Sequence, residues 1–157
     1  MRTKRRYLNY TELTMLYDVI VIGSGISGLY AALYAKKSGL KVAVITKSNP
    51  FRSNSSVASG GINAVIDLSA YDSVERHVND TVAGSDGLSH RANIQSMCAE
   101  APNIIWELKE MGVRFDSDDN GDVKQRPFGG ASANRTCYIA DRTGASIVQT
   151  LFVKCKN

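Results

Sequence analysis

Tyr17-Asp18-Val19-Ile20-Val21-Ile22-Gly23-Ser24-Gly25-Ile26-Ser27-Gly28 is the stretch on which the fold turns. Tyr17 to Ile22 is a β-branched run, the mark of a strand buried on both faces. It opens into a G-x-G-x-x-G turn and then into Leu29 to Ser38. That segment reads as a helix: rich in alanine, lysine in its final turn, Gly39 as its stop. Lys41 to Thr46 repeats the buried-strand pattern. Strand, glycine turn, helix and strand within about thirty residues make a right-handed βαβ unit with a parallel pair. The fold class is α/β, Rossmann-like.

Each glycine of the turn has a separate duty in such a unit. Gly23 permits the tight exit from the strand, Gly25 lets a pyrophosphate approach the backbone, and Gly28 lets the helix lie close on the sheet. The N–H groups of the helix start, around Ile26 and Ser27, then face the phosphates with the positive end of the helix dipole. Glycines that merely pack a helix would look alike in isolation; the strand before and the helix after favour dinucleotide binding.

At the end of the second strand, where the fingerprint expects an acid for the ribose, stands Thr46-Lys47-Ser48. Lys47 could face a 2′-phosphate, as in an NADP site. Alternatively the hydroxyls of Thr46 and Ser48 could bond the ribose of FAD. A solvated surface lysine is the plain alternative, and spacing leaves the choice open.

Beyond Lys47 the periodicity stops until Gly61, and small polar residues take over, including Ser53, Asn54, Ser55, Ser56 and Ser59. A loop of that length inside a compact domain is uncommon and usually functional. Ile62–Ile66 reads as a short strand, Ser73–Val82 and Ser89–Met111 as helices, the second broken near Pro102. Asp116 to Gly121 is a polar turn between short strands at Val113–Phe115 and Val123–Gln125. Its alternating acids resemble a calcium loop, but the glutamate required at the twelfth position is replaced by Phe128 or its neighbours, which favours a hairpin turn. Thr143–Lys154 closes the chain as a helix.

Composition narrows the function classes. The 157 residues, 43% hydrophobic and 22% charged, suit one globular domain. No run approaches the roughly 18 apolar residues of a membrane-spanning helix. Cys98, Cys137 and Cys155 are widely spaced and odd in number, which fits neither a disulfide framework nor a zinc site, and His77 and His90 are too few for most metal cages. The chain reads as soluble and reduced. Arg2, Lys4, Arg5 and Arg6 against Glu12 place +3 of the net +4 in the first fourteen residues. The rest has no basic face to track nucleic acid. Residues 1–14 read as a disordered arm, with Met15 as an alternative start.

The later motifs carry a resemblance. Tyr17–Ser48, then Arg52 to Ala64, His77 to Asp86, Phe128-Gly129-Gly130 and Arg135-Thr136-Cys137-Tyr138-Ile139-Ala140-Asp141-Arg142-Thr143-Gly144 resemble the flavoprotein subunits of succinate dehydrogenase and fumarate reductase. L-aspartate oxidase belongs to the same superfamily. The likeness implies FAD as cofactor and turns Lys47 away from NADP, because the family uses Thr/Ser-Lys where other folds place an acid. It also implies that Ser53, Asn54, Ser55, Ser56, Ala58 and Ser59 pack against the isoalloxazine ring, with Gly60 and Gly61 at its reactive edge. Phe128 matches a phenylalanine lining the dicarboxylate pocket; an ordinary core aromatic is the alternative.

Two departures stand out. Members in membrane complexes carry a flavin-linking histidine two residues after the arginine of this loop, and here that position is Asn54. An amide cannot form that bond, so FAD is expected without a covalent link, with a lowered potential that favours fumarate reduction over succinate oxidation. The other departure is Ala145, where the family has a bulky residue or a histidine. Arg135 and Asp141 are expected to form an ion pair, His77 has no assigned duty, and Cys137 is expected to be packed and inert.

By resemblance, the chain is the N-terminal FAD-binding portion, residues 15–157, of an oxidoreductase acting on fumarate or succinate and passing electrons to an iron–sulfur subunit. The catalytic arginines and histidines of the family belong to a capping domain and a later return to the FAD domain, which the sequence to Asn157 does not contain. No turnover is expected of this chain alone, and its truncated sheet is expected to expose edges and apolar surface. A cytoplasmic place follows, peripheral to the inner face of the membrane through partner subunits. A non-catalytic Rossmann-like nucleotide-binding module is the reading from a different class.

Overall fold

A computed structural model describes residues 15–67 and 71–156; the basic leader, 1–14, lies outside the described residues. The βαβ unit forms as expected. β1 (Val19–Ile22) and β2 (Val42–Ile45) pair in parallel, Val19 opposite Val42 and Ile22 opposite Ile45. Gly23 N–H extends the ladder by one bond to the Ile45 carbonyl at 2.8 Å. The crossover is α1 (Ile26–Lys37), which buries Leu29, Ala32 and Leu33 and ends in Lys36 and Lys37. Gly39 follows at φ +81°, a conformation that stops the helix without a Cβ penalty.

Burial of these strands on both faces is not what the structure shows. Val21 lies under α1, but Ile20 is 57%, Ile22 86% and Ile45 55% exposed. β1 and β2 are the whole of this sheet among the described residues, and α1 covers one face of it. The apolar run does form a strand, but the described residues supply no layer over its other face. Ile20, Ile22 and Ile45 accordingly present apolar surface on the open face of this sheet.

A second, antiparallel sheet has the order β3-β5-β4, with β3 (Ile62–Asn63), β4 (Gln125–Arg126) and β5 (Thr136–Cys137). Thr136 sits opposite Asn63 on one side and Arg126 on the other. The expected strand at Val113–Phe115 does not form. Val113 and Phe115 are buried in the core, but pairing begins only at the Ser117–Val123 bridge, and Asp116 N–H goes to the Tyr138 carbonyl instead. The polar turn does form: the Asp118 carboxylate accepts the N–H groups of Asn120 and Asp122 at 2.9 and 3.0 Å.

α3 (Val74–Gly84) starts at Ser73, whose hydroxyl accepts Arg76 N–H. α4 (Arg91–Met111) runs unbroken through Pro102, against expectation. The proline forfeits one backbone bond, but Ile94, Cys98, Ala101, Ile105 and Leu108 bury one continuous stripe on both sides of it. That tertiary packing offsets a local cost of about 3 kcal/mol. Gly112 at φ +109° then closes the helix. α5 (Thr143–Lys156) lies against α1 and the serine-rich segment and drives Ile147, Val148 and Leu151 into the core. No described helix is long and apolar enough to cross a membrane.

Candidate functional site

The glycine turn is built as its sequence requires. Gly23 adopts φ +113°. A Cβ on Gly28 would lie 2.1 Å from the Gly23 carbonyl oxygen, so no other residue lets α1 approach the strand this closely. Ser24, buried in the turn, donates to Thr46 Oγ1 at 2.7 Å, and Thr46 donates onward to the Ser48 carbonyl at 2.9 Å. A chain of hydroxyls thus ties the turn to the end of β2, where the acid of other dinucleotide folds would stand. Lys47 is exposed beside it.

The segment from Lys47 to Gly61 has more order than a loop. It contains a 3-10 turn, Pro50–Arg52, capped by the Asn49 side chain, and a one-turn helix, α2 (Asn54–Val57), capped by Ser53. Its hydroxyls are divided between two tasks. Ser53 and Ser56 bond each other at 3.1 Å, and Ser56 also donates to the Pro50 carbonyl, so both stabilise the segment itself. Ser55 reaches out: its Oγ accepts Ile26 N–H at 3.2 Å and lies 3.0 Å from where a Gly25 Cβ would be. That one contact docks the serine-rich segment on the start of α1. The first turn of α1 has no acidic residue, and no described side chain accepts from the N–H groups of Ser27 and Gly28. Asn54 is exposed, and no described residue bonds its side chain.

The far side of the segment is clamped by α5 and the second sheet. Gly144 N–H donates to the Ala58 carbonyl at 2.8 Å, and a Cβ on Gly144 would sit 1.9 Å from the Ser55 carbonyl. Phe51 meets Phe152 of α5 edge-on at 5.2 Å. Phe128, 49% exposed, is not a core aromatic: its ring occupies the space in front of Gly60, 2.8 Å from where that Cβ would be. Gly61, at φ +118°, would bring a Cβ to 2.5 Å from the Cys137 carbonyl. Backbone packing therefore demands the glycine at 61, whereas at Gly60 the neighbour is a half-exposed ring that can turn aside. Phe128, Gly60, Gly61, Ser59 and Ala58 converge, and Ser55 links them to Gly25.

The expected Arg135–Asp141 pair is absent. Arg135 is fully buried and bonds Asp72 and Asp80 instead, while Asp141 is exposed. Asp80 Oδ2 also accepts the N–H and hydroxyl of Ser132, so the network ties α3 to the segment that leads into β5. His77 is buried beside it, with Nδ1 unpartnered. Burial, then the Arg135 charge, pulls its pKa below the ordinary histidine value. Cys137 is fully buried, as expected, and burial pushes its thiol up to about 11.

Two residues of this region were not singled out from the sequence. Gly144 follows a threonine at a helix start, which hints at close packing. Arg126 carries no local signal; its partners are the carbonyls of Ser59 and Gly60, more than sixty positions away.

The chain is similar to known proteins. Residues 18–157 match the family described as FAD binding domain. The succinate dehydrogenase flavoprotein subunit of Rickettsia felis is 43% identical over 151 residues, covering 91% of this chain and 25% of that protein. The chloroplastic L-aspartate oxidase of Oryza sativa is 40% identical over 146 residues, 93% of this chain and 22% of that one. Among solved structures, a quinol fumarate reductase chain from E. coli superposes with a TM-score of 0.83 at 34% identity, over 89% of this chain and 24% of that chain. The chain spans about a quarter of the length of such relatives.

Proposed function

Because the chain belongs to the FAD binding domain family, we propose that it is the FAD-binding portion of a fumarate reductase or succinate dehydrogenase flavoprotein. The observation that carries this is the Ser55 contact, which sets the serine-rich segment on the glycine turn. The residues fit the cofactor. An acid-free helix start with open N–H groups suits two phosphates. The hydroxyls of Ser24, Thr46 and Ser48 suit a ribose where a carboxylate is missing, with Lys47 left solvated. Ser59, Gly60 and Gly61 would face the ring, and Phe128 the dicarboxylate beside it.

Bound FAD would supply the two-electron carrier between the dicarboxylate and an iron–sulfur partner. Asn54, an amide where a histidyl link would need an imidazole, supports non-covalent binding. Ser53 and Ser56 would serve the cofactor indirectly, by holding the shape of the segment. In the cell the protein would be peripheral to the inner face of the membrane through its partner subunits.

A second reading, L-aspartate oxidase, is favoured by the same Asn54, because that enzyme also holds FAD without a covalent bond. Turnover with fumarate against L-aspartate as substrate would separate the two.

Flavin content tests the reading. The purified chain, given FAD and freed of excess, should keep a flavin spectrum and release all of it into the supernatant on acid precipitation. Flavin remaining in the acid pellet would overturn the Asn54 argument. A chain that retained none would overturn the claim that these residues alone hold the cofactor.

A further inference from the structure

The backbone from Ser59 to Gly61 is turned by one side chain. Arg126 in β4 donates from Nη2 to the Gly60 carbonyl at 2.7 Å and to the Ser59 carbonyl at 3.2 Å. Its guanidinium carbon lies 4.3 Å from the centroid of the Tyr138 ring, which restricts its swing. In a planar trans peptide each N–H points opposite to the carbonyl before it, and no peptide among the described residues is cis. With both carbonyls drawn to Arg126, the N–H groups of Gly60 and Gly61 face the other way. Neither has an acceptor among the described residues.

Only glycine fits at position 61, where φ is +118° and a Cβ would lie 2.5 Å from the Cys137 carbonyl and 2.6 Å from the Thr136 methyl. Two successive N–H groups aimed the same way make a concavity for an anion or an electron-rich edge.

We infer that Arg126 is a positioning residue, which presents the N–H groups of Gly60 and Gly61 as a paired donor to the electron-rich edge of the flavin ring. The occupant rests on the function proposed above; the clamp itself rests on the Arg126 geometry. Arginine suits the task because its guanidinium stays charged and can bond two carbonyls while stacked on an aromatic ring. A lysine could hold one carbonyl without the stack.

The test compares the ¹⁵N-labelled chain with Arg126→Met and Arg126→Lys, by amide relaxation and residual dipolar couplings, before and after adding FAD. In the unaltered chain Gly60 and Gly61 should show order parameters near the rigid value of about 0.85, falling below about 0.6 in Arg126→Met. Arg126→Lys should lie between them, and the amides of Leu108 and Val148 should stay put. Unchanged order and couplings at Gly60 and Gly61 in Arg126→Met would overturn the proposal. So would equal loosening at Leu108 and Val148, which would make Arg126 a general stabiliser of the fold. On adding FAD, the Gly60 and Gly61 amides should shift, and Arg126→Met should weaken the apparent affinity roughly tenfold. Amides that ignore FAD in the unaltered chain, with the relaxation result intact, would leave the clamp standing and overturn the flavin as its occupant.

Discussion

Arg135 grips Asp72 through two parallel hydrogen bonds, Nε to Oδ2 at 2.9 Å and Nη2 to Oδ1 at 2.7 Å, with its guanidinium wholly out of solvent. Its third side is taken by Asp80 at 2.5 Å. Removing the arginine would leave two largely buried carboxylates without a counter-charge. Arg135→Met should therefore cost roughly 3–5 kcal/mol, read as a lower midpoint in urea unfolding. Asp141→Asn, which touches none of this, should leave the midpoint unmoved. Equal effects from the two variants would refute the network described here.

The same network sets an acid limit. The Arg135 hydrogen bonds hold Asp72 below the usual carboxylate value. At Asp80 burial pushes upward, but the bonds from Arg135 and Ser132 outweigh it and hold the group at about 2. A carboxylate whose folded pKa is depressed contributes stability that is complete above its unfolded value. That contribution is lost as pH falls from about 4 toward the folded value. Unfolding free energy should accordingly drop between about pH 4 and pH 2. Asp80→Asn should flatten that drop, and an unchanged slope in the variant would contradict the assignment.

His77 acts at higher pH and with the same sign. Its folded pKa is depressed, by burial first and by the Arg135 charge second, while Asp72 and Asp80 pull the other way. The folded state then binds fewer protons than the unfolded one just below about 6.5, so stability falls as pH drops through that value. His77→Phe keeps the volume and removes the unpartnered Nδ1. It should abolish the slope on the acid side of pH 6.5 in chemical denaturation. A slope of the same size in both proteins would show that another group carries it.

What the sequence disclosed and what it hid divide along range of interaction. The βαβ unit was legible because its signals are local: a β-branched run, a glycine turn, an alanine-rich stretch ending in lysines and Gly39, and a second apolar run. β5 was not, since a two-residue strand at Thr136–Cys137 exists only through partners at Asn63 and Arg126. Asp141, six residues from Arg135, looked like its partner; the actual ones are 63 and 55 positions distant. Ser53 and Ser56 read as ligand hydroxyls because composition does not say which serines are used up as caps. Pro102 misled because a stripe from Ile94 to Leu108 could hold the helix across it.

Gly144 provides a steric test of how the serine-rich segment is docked. A methyl at this position would lie 1.9 Å from the Ser55 carbonyl and 2.7 Å from that of Ala58, both backbone atoms that cannot rotate away. Gly144→Ala should destabilise by about 1–3 kcal/mol or more and push Ser55 off Ile26. Gly84→Ala, where a Cβ meets nothing within 4 Å, is the control and should be near neutral. Amide resonances of residues 55–58 that stay in place in Gly144→Ala would show that α5 does not set the position of this segment.

The three free thiols should differ in reactivity for a reason the fold supplies. Thiolate is the reacting species, and burial raises the pKa of all three, Cys137 to about 11. Access then separates them. Cys98 and Cys137 are fully buried, between α3 and α4 and in the middle of the second sheet, whereas Cys155 near the end of α5 is half-buried. Its thiol donates to the Leu29 carbonyl at 3.4 Å, so fraying of the last turn of α5 is enough to free it. Iodoacetamide at pH 8 should label Cys155 first, with Cys98 and Cys137 reacting only at the rate of wider unfolding. Peptide mapping by mass spectrometry over a time course reads this directly. Early labelling of Cys137 would mean that the β3-β5-β4 sheet opens in the native state, and with it the support under Gly61.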